Sequence, residues 1–342
     1  MNLINVTKVY GTQEACLDKL EKMRWPNGIC CLRCGITGTD ENGNPRVMKF
    51  VTNETTRERY SKKTSKTRTV RVPSRRLYEC KECGYQFSAT TGTVFHDSHI
   101  SLEKWFMATA MILEAKKGMS SLQVGRHLGV KEGNTKSTWY LCHRIREAAI
   151  EAGTFLTGIV EADHTFMTPK TPRKGKPYVK KENRDVVLGM IERGGNLRLV
   201  PVKDAKIKIT EAAMDKYVHP DAILQTDEHS TFAIIGGRKF SGRHRTINHS
   251  VSFGVGDFHT NTVENAFSLL KRGIYGTYHK VSIKHLGRYC NEFSYRFNRR
   301  KYQSQMFDET IKRLVNGKPL PFKTLTASEE TSVPSIPSDP EF

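Results

Sequence analysis

Two short cysteine motifs, Cys31-Leu32-Arg33-Cys34-Gly35 and Cys80-Lys81-Glu82-Cys83-Gly84, constrain this chain more than any other feature in it. Two residues between cysteines let both thiolates point at one ion, and the glycine that follows permits the tight backbone turn around it. Two such knuckles supply four soft ligands, the donor set of a closed tetrahedral zinc site. Four thiolates leave no position for a substrate, so the expected role of Zn2+ on Cys31, Cys34, Cys80 and Cys83 is structural. Tyr78-Glu79 before the second knuckle and Gln86-Phe87 after it read as strands of a zinc ribbon. Cys30 is a bystander in this reading, and Cys16, Cys142 and Cys290 fall in helical patterns as buried thiols.

The spacer between the knuckles is longer than a minimal ribbon needs, and it is basic. From Pro45 to Arg76 there are eleven Lys and Arg against Glu54 and Glu58. It reads as a loop or flexible hairpin that buries little, either simply solvated or touching phosphates. The whole chain has 55 Lys and Arg against 35 Asp and Glu, a net charge of +20. That balance points to a polyanion, nucleic acid first and an anionic membrane second. No run of eighteen apolar residues suggests a membrane span, and MNLINVTKVYGTQ lacks the basic start and apolar core of a secretory signal. The expected location is cytoplasmic, associated with the nucleoid.

Downstream of the cysteines the pattern turns helical. Ser101 precedes a helix carrying Trp105, Phe106, Met111 and Leu113; Ser120 with Gln123 forms a capping box for a short helix ended by Gly129. After the polar turn Lys131-Glu132-Gly133-Asn134, a third helix carries Leu141, Cys142, Ile145, Ala148 and Ala149 on one face. A short helix, a glycine-containing turn and a longer basic helix outline a helix-turn-helix, with Lys136 to Arg146 as recognition helix and Lys136, Arg144 and Arg146 as DNA contacts. Helical hairpins without DNA share that outline. From Gly158 the texture is β: Ile159–Asp163, Val186–Ile191 and Leu197–Val202, then a helix near Thr210–Tyr217 and a fourth strand, Ala222–Asp227. Helical patterns follow at Thr262–Tyr275 and His285–Arg300. Three meander strands followed by α-β-α make a mixed α/β domain.

Asp163 ends the first of those strands and Asp227 the fourth. Glu264 opens a helix, and Lys271, seven residues on, lies on the same face of it. Three carboxylates are the ligand set that holds two Mg2+ ions about 3.5–4 Å apart for in-line phosphoryl transfer. Spacing alone leaves other roles open: the aspartates as turn or capping residues, and Glu264 as a first-turn acid favoured by the helix dipole.

The run His259-Thr260-Asn261-Thr262-Val263-Glu264 through Lys271, Arg272 and His279 resembles the C-terminal signature of a bacterial insertion-sequence transposase family related to the Merlin transposases. The similarity extends over roughly residues 20–300, through Trp25-Pro26, both knuckles, Phe87–Phe95, Lys104-Trp105, Leu128-Gly129-Val130, His143–Arg146, Val160–Asp163, Thr226–Glu228, Glu292-Phe293 and Asn298. The resemblance implies a multidomain α+β and α/β chain: zinc ribbon, helical helix-turn-helix domain, then an RNase H-like mixed-sheet catalytic domain of the DDE type. The expected boundaries are 1–97, 98–155 and 156–318, with a disordered tail at 319–342. It also implies DDE catalysis by Asp163, Asp227 and Glu264 holding Mg2+, with Mn2+ able to substitute, and Lys271 and Arg272 against DNA. Family members usually follow the first aspartate with Glu, where this chain has His164. Some relatives use Asn at the third position, which makes Asn261 a second polar candidate there.

The expected function is a DNA transposase that binds the terminal inverted repeats of its element and performs Mg2+-dependent cleavage and strand transfer. Its partners would be double-stranded DNA ends and target, with no membrane, and it would act as a homodimer or higher oligomer on DNA. Two other classes stay open on the residues: a non-catalytic DNA-binding regulator, and a metal-dependent nuclease without strand joining.

Overall fold

The computed structural model describes residues 2–61, 65–130, 134–151, 154–167, 185–247 and 259–327. The turn at 131–133, the basic run from Lys170 to Arg184 and the end of the tail, 328–342, lie outside the described residues. Among the described residues, no helix is long and apolar enough to cross a membrane. The chain divides into two compact units, one of Val6–Phe106 with Ile311–Pro319, the other built on Met107–Thr310. The division falls at 106/107.

In the first unit, α1 (Leu3–Val9) and α2 (Gln13–Arg24) precede the first knuckle. Thr12 caps α2 by accepting from the amide of Ala15, as its side-chain oxygen suits it to do. The basic insert is ordered as strands: β1 (Val47–Thr52), β2 (Thr55–Ser61) and β3 (Lys66–Val72), followed by β4 (Arg75–Cys80) and β5 (Gln86–Phe87). β1, β4 and β5 form one antiparallel sheet, with Val47 opposite Cys80 and Tyr78 opposite Phe87. Trp25 packs edge-on against Tyr78 at 5.1 Å and Phe87 at 5.9 Å between ring centres. Those aromatic contacts give the small sheet a core. Among the described residues, β2 and β3 pair only with each other.

α3 (Leu102–Glu114) runs from one unit to the other. α4 (Ser121–His127) and α5 (Thr135–Glu147) follow as the expected helical hairpin. Ser120 accepts from the amide of Gln123 to cap α4, and Gly129 takes a positive φ of 62° after it. A Cβ on Gly125 would lie 3.1 Å from the Thr138 hydroxyl, so this glycine lets the two helices cross closely.

The second unit is organised on a five-stranded sheet of β6 (Ile159–Phe166), β7 (Val186–Glu192), β8 (Leu197–Val202), β9 (Ile223–Asp227) and β10 (His244–Ile247), in the order β10-β9-β6-β7-β8. β6, β7 and β8 are the antiparallel meander; β9 adds parallel to β6 and β10 parallel to β9. α6 (Ile207–Tyr217) and α7 (Ser230–Lys239) cover the face that carries Val160, Ala162, Leu188, Met190 and Leu224. α8 (Asn261–Gly273), a π-helical turn (Ile274–Tyr278) and α9 (Ile283–Asn298) cover the other, with Val263, Phe267, Leu270 and Phe293 against Val187, Ile191, Leu197 and Leu199. Strand side chains alternate between faces, so Glu161, Asp163 and Thr165 share the α8 side. Gly189 stands opposite Asp163 on β7, where a Cβ would come 2.5 Å from the Phe267 ring. Its missing side chain lets α8 lie close to the sheet.

α10 (Gln303–Asn316) and α11 (Phe322–Thr326) close the described chain. The tail expected to be disordered from residue 319 is therefore ordered as far as residue 327. Leu320 and Leu325 are buried, the Phe322 ring meets those of Trp139 and Tyr140, and the Tyr140 hydroxyl donates to the Leu320 carbonyl. Three apolar anchors in a polar stretch suffice to hold it.

Candidate functional site

Asp163 and Asp227 stand one residue beyond Ala162 and Thr226, the last registered pair of two adjacent parallel strands. Neighbouring strands lie about 4.8 Å apart, so the sheet sets these carboxylates side by side. Glu264 projects from the first turn of α8, where Thr260 donates to its Oε1 at 3.0 Å. Asp163, Thr165, Glu264, Phe267, Ser268 and Lys271 line a cleft of about 450 Å³. Of the four charged residues singled out in the sequence, Asp163, Glu264 and Lys271 line this cleft, and Asp227 acts on Asp163 through its charge from the neighbouring strand. Asn261 is exposed at the start of α8.

The electrostatics record that proximity. Burial pushes the Asp163 pKa up to about 7, and the negative charges of Asp227 and Glu264 push in the same direction. The His164 amide, 2.6 Å from Asp163 Oδ1, and the Lys271 ammonium only partly oppose them. Burial lowers the pKa of Lys271, with Asp163 acting against it. A carboxylate held above its ordinary range by like charges is a place where a cation is favourable. Among the described residues, however, the carboxylates are not drawn together as tightly as the cysteine thiols.

Glu161 is a positioning residue to which the sequence analysis gave no role. It is 0% exposed, two residues before Asp163 on the same face. Its Oε2 accepts from the amides of Thr262 (2.9 Å) and Val263 (3.1 Å), and its Oε1 from the Thr262 hydroxyl at 2.8 Å. These are unsatisfied donors at the start of α8, where a negative charge also suits the helix dipole. Arg193 donates to Glu161 Oε1 at 3.1 Å and to Gln225 Oε1 at 2.9 Å. His259 Nδ1 lies 3.3 Å from the same Glu161 oxygen, so this histidine belongs to the anchor of α8. The available signal was the period-two alternation: a charge at an inward position of a β run needs a partner. His164 points to the opposite face, stacked on Phe232 and hydrogen-bonded to Thr210 at 3.0 Å. It is not part of the carboxylate cluster.

The residues expected to face DNA divide differently. Lys136 is exposed, with its ammonium over the Phe322 ring, and Arg272 is exposed and bonded back to Ser268. Arg144 and Arg146 are 3% and 1% exposed, which corrects the reading of them as DNA contacts. Arg146 Nε donates to Glu292 at 2.6 Å, Arg296 shares that carboxylate at 3.0 Å, and the Arg146 guanidinium lies 4.0 Å from the Tyr289 ring centre. His143 is buried beside Trp139, His285 and Tyr289; burial, and then Arg146, keeps it neutral. This part of α5 is a packing face against α9.

The four knuckle thiols form the other cluster. Cys31, Cys34, Cys80 and Cys83 have their sulfurs within 4.8 Å of one another, with Cys31–Cys83 and Cys34–Cys80 each at 3.6 Å. Zn–S bonds of about 2.3 Å in a tetrahedron separate sulfurs by about 3.8 Å, so the donors fit zinc. Gly35 and Gly84 take φ of 74° and 64°, the left-handed turns a knuckle requires. Cys30 stands outside the cluster, its thiol directed at the carbonyl of Gly35.

Comparison with known proteins agrees with this architecture. Residues 11–40 match the transposase zinc-ribbon domain and residues 155–298 the ISXO2-like transposase domain. The second knuckle lies beyond the first match, and its sulfurs are gathered with those of the first knuckle beside the β1-β4-β5 sheet. A relative described as an uncharacterized protein in transposable element ISH50 of Halobacterium salinarum is 21% identical over 303 residues, 84% of this chain and 92% of that protein. No solved structure matches.

Two outcomes follow from the cluster and its anchor. Glu161→Gln removes the charge that holds the α8 amides and Arg193, and is expected to cost about 1–3 kcal/mol; an unchanged urea midpoint would contradict that role. Asp163, protonated in the folded metal-free protein up to about pH 7, stabilises most below its ordinary pKa of 3.8 and loses that contribution as pH rises through 7. Asp163→Asn is therefore expected to be more stable than the wild type at pH 8 without divalent metal, by on the order of 2 kcal/mol, with the difference vanishing near pH 4. Equal melting temperatures at both pH values would contradict it.

Proposed function

We propose that this chain is a DDE transposase, cutting DNA at the ends of its element and joining the freed ends to target DNA. The observation that carries the reading is a cleft lined by Asp163, Glu264 and Lys271, in which burial, and after it the charges of Asp227 and Glu264, raise the Asp163 pKa. The strand order, a meander with two parallel strands added beside its first strand, supports an RNase H-like catalytic domain. The transposase domain match and the ISH50 relative support the same class.

In this reading Asp163 and Asp227, fixed side by side by parallel strands, and Glu264, fixed by α8, hold divalent cations between them. Bound Mg2+ would supply activation of the attacking oxygen and stabilisation of the leaving one in an in-line displacement. Lys271 faces the DNA phosphate beside the acids, and its partly desolvated ammonium strengthens that contact. No residue is required as a covalent nucleophile. Zinc on the four cysteines holds the N-terminal sheet, and that unit with Lys136 and Arg272 contributes to binding the terminal repeats. Joining two ends in concert calls for a dimer or higher oligomer on DNA.

The test is a strand-transfer assay on duplexes carrying the inverted repeats that flank the coding sequence, with Mg2+ or Mn2+. Wild-type protein is expected to nick and join. Asp163→Asn, Asp227→Asn and Glu264→Gln are each expected to lose at least about 100-fold in rate while still binding the duplex. Variants that nick and join at the wild-type rate would overturn the proposal, and cutting without joining would restrict the chain to a nuclease.

A further inference from the structure

The ribbon of β2 and β3 is the least supported element of the fold. Its strands pair from Thr55 opposite Val72 to Ser61 opposite Lys66, and with no third strand among the described residues. Residues 55–60 and 65–69 are exposed on both faces, and only Val70 and Val72 are half-buried. A two-stranded hairpin without a packed face is marginal in water, so its side chains serve something other than a core.

The register sorts those side chains by charge. Directly opposed residues of an antiparallel pair share a face. One face therefore carries Arg57 with Val70, Arg59 with Arg68, and Lys66. It holds four cations and no acid. The other carries Thr56 with Arg71, Glu58 with Thr69, and Tyr60 with Thr67. There Arg71 is already paired through both its Nε and Nη2 to Glu54. Arg59 and Arg68 stand directly opposite each other, and like charges so placed are destabilising. A ribbon needing only solubility would mix signs on each face. Concentrating unpaired cations on one face, against a local cost, suits an anionic partner that removes the repulsion on binding. A two-stranded ribbon also fits the major groove, about 12 Å wide.

Resting on the reading of this chain as a DNA-acting protein, we propose that the Arg57, Arg59, Lys66 and Arg68 face of the ribbon docks on double-stranded DNA through its phosphates. The contact is independent of base sequence and depends on salt. The opposite face, with the Glu54–Arg71 pair, turns away from the duplex.

The test uses the full zinc-loaded chain and a 30-base-pair mixed-sequence duplex, read by fluorescence anisotropy across a KCl series. Arg59→Gln/Arg68→Gln is expected to weaken binding roughly 10- to 30-fold at 150 mM KCl and to reduce the slope of log K against log[KCl] by about 1.8. Arg71→Gln, on the opposite face, is expected to stay within about twofold of wild type with an unchanged slope. The double variant relieves like-charge opposition, so its melting temperature is expected not to fall, which separates lost contact from lost folding. Overturning results are a double variant with wild-type affinity and slope, an equal loss in Arg71→Gln, or a change in self-association by sedimentation with DNA binding intact. If the wild-type chain binds no duplex even at 50 mM KCl, the DNA-acting reading falls with it; if wild type binds and the double variant binds equally, only the ribbon assignment fails.

Discussion

The geometry of the acidic cleft depends on one buried carboxylate that does not line it. Glu161 ties the first amides of α8 to β6, and Arg193 and His259 close around its remaining oxygen. Because Asp163 lies two residues further along the same strand face and Glu264 one turn into the anchored helix, this single junction sets the spacing between two of the three acids. Gly189 completes the arrangement by letting Phe267 settle against the sheet. A buried charge is costly unless its partners are fixed. Here they are fixed by backbone donors, which cannot rotate away. The strand, the helix and the cleft are thereby one mechanical piece.

Burial, and after it repulsion among the acids, makes the charged form of Asp163 costly in the cleft. Asp163 is forced toward its neutral form by burial and by Asp227 and Glu264, and Lys271 offsets only part of that. The cysteine cluster differs: Cys31 and Cys80 are buried in the small aromatic core while Cys34 is exposed, and four thiolates around one ion leave no open position. The four cysteine sulfurs lie within 4.8 Å of one another, whereas Asp163 and Glu264 line an open cleft, which under the proposed function separates a structural ion from the reacting site.

Much of this was legible in the residues. The knuckles announced their sheet because the two-residue spacing and trailing glycine have few other uses, and Asp163 and Asp227 were visible as acids ending apolar runs. What failed to show were properties that depend on a distant partner. Arg146 looked like a basic residue on an exposed helix face, yet Glu292, far along the chain, buries it. α7 runs through Gly236-Gly237, and Gly236 leaves room there for the His244 ring, a fit that depends on a residue of β10. β10, four residues long and polar at its centre, carries too short a pattern to be read. The basic insert was anticipated in charge but not in order, since nothing in its alternation separates a hairpin from a loop until the register is known.

The central claim is that Asp163, Asp227 and Glu264 hold a divalent cation together, and site-directed iron cleavage tests it most directly. Fe2+ bound in place of Mg2+ generates, with ascorbate and peroxide, radicals that cut the nearby backbone. The account predicts cuts next to residues 163, 227 and 264, suppressed by excess Mg2+ and absent in Asp163→Asn. Cuts confined to other parts of the chain, or cuts at these positions that Mg2+ does not suppress, would contradict it.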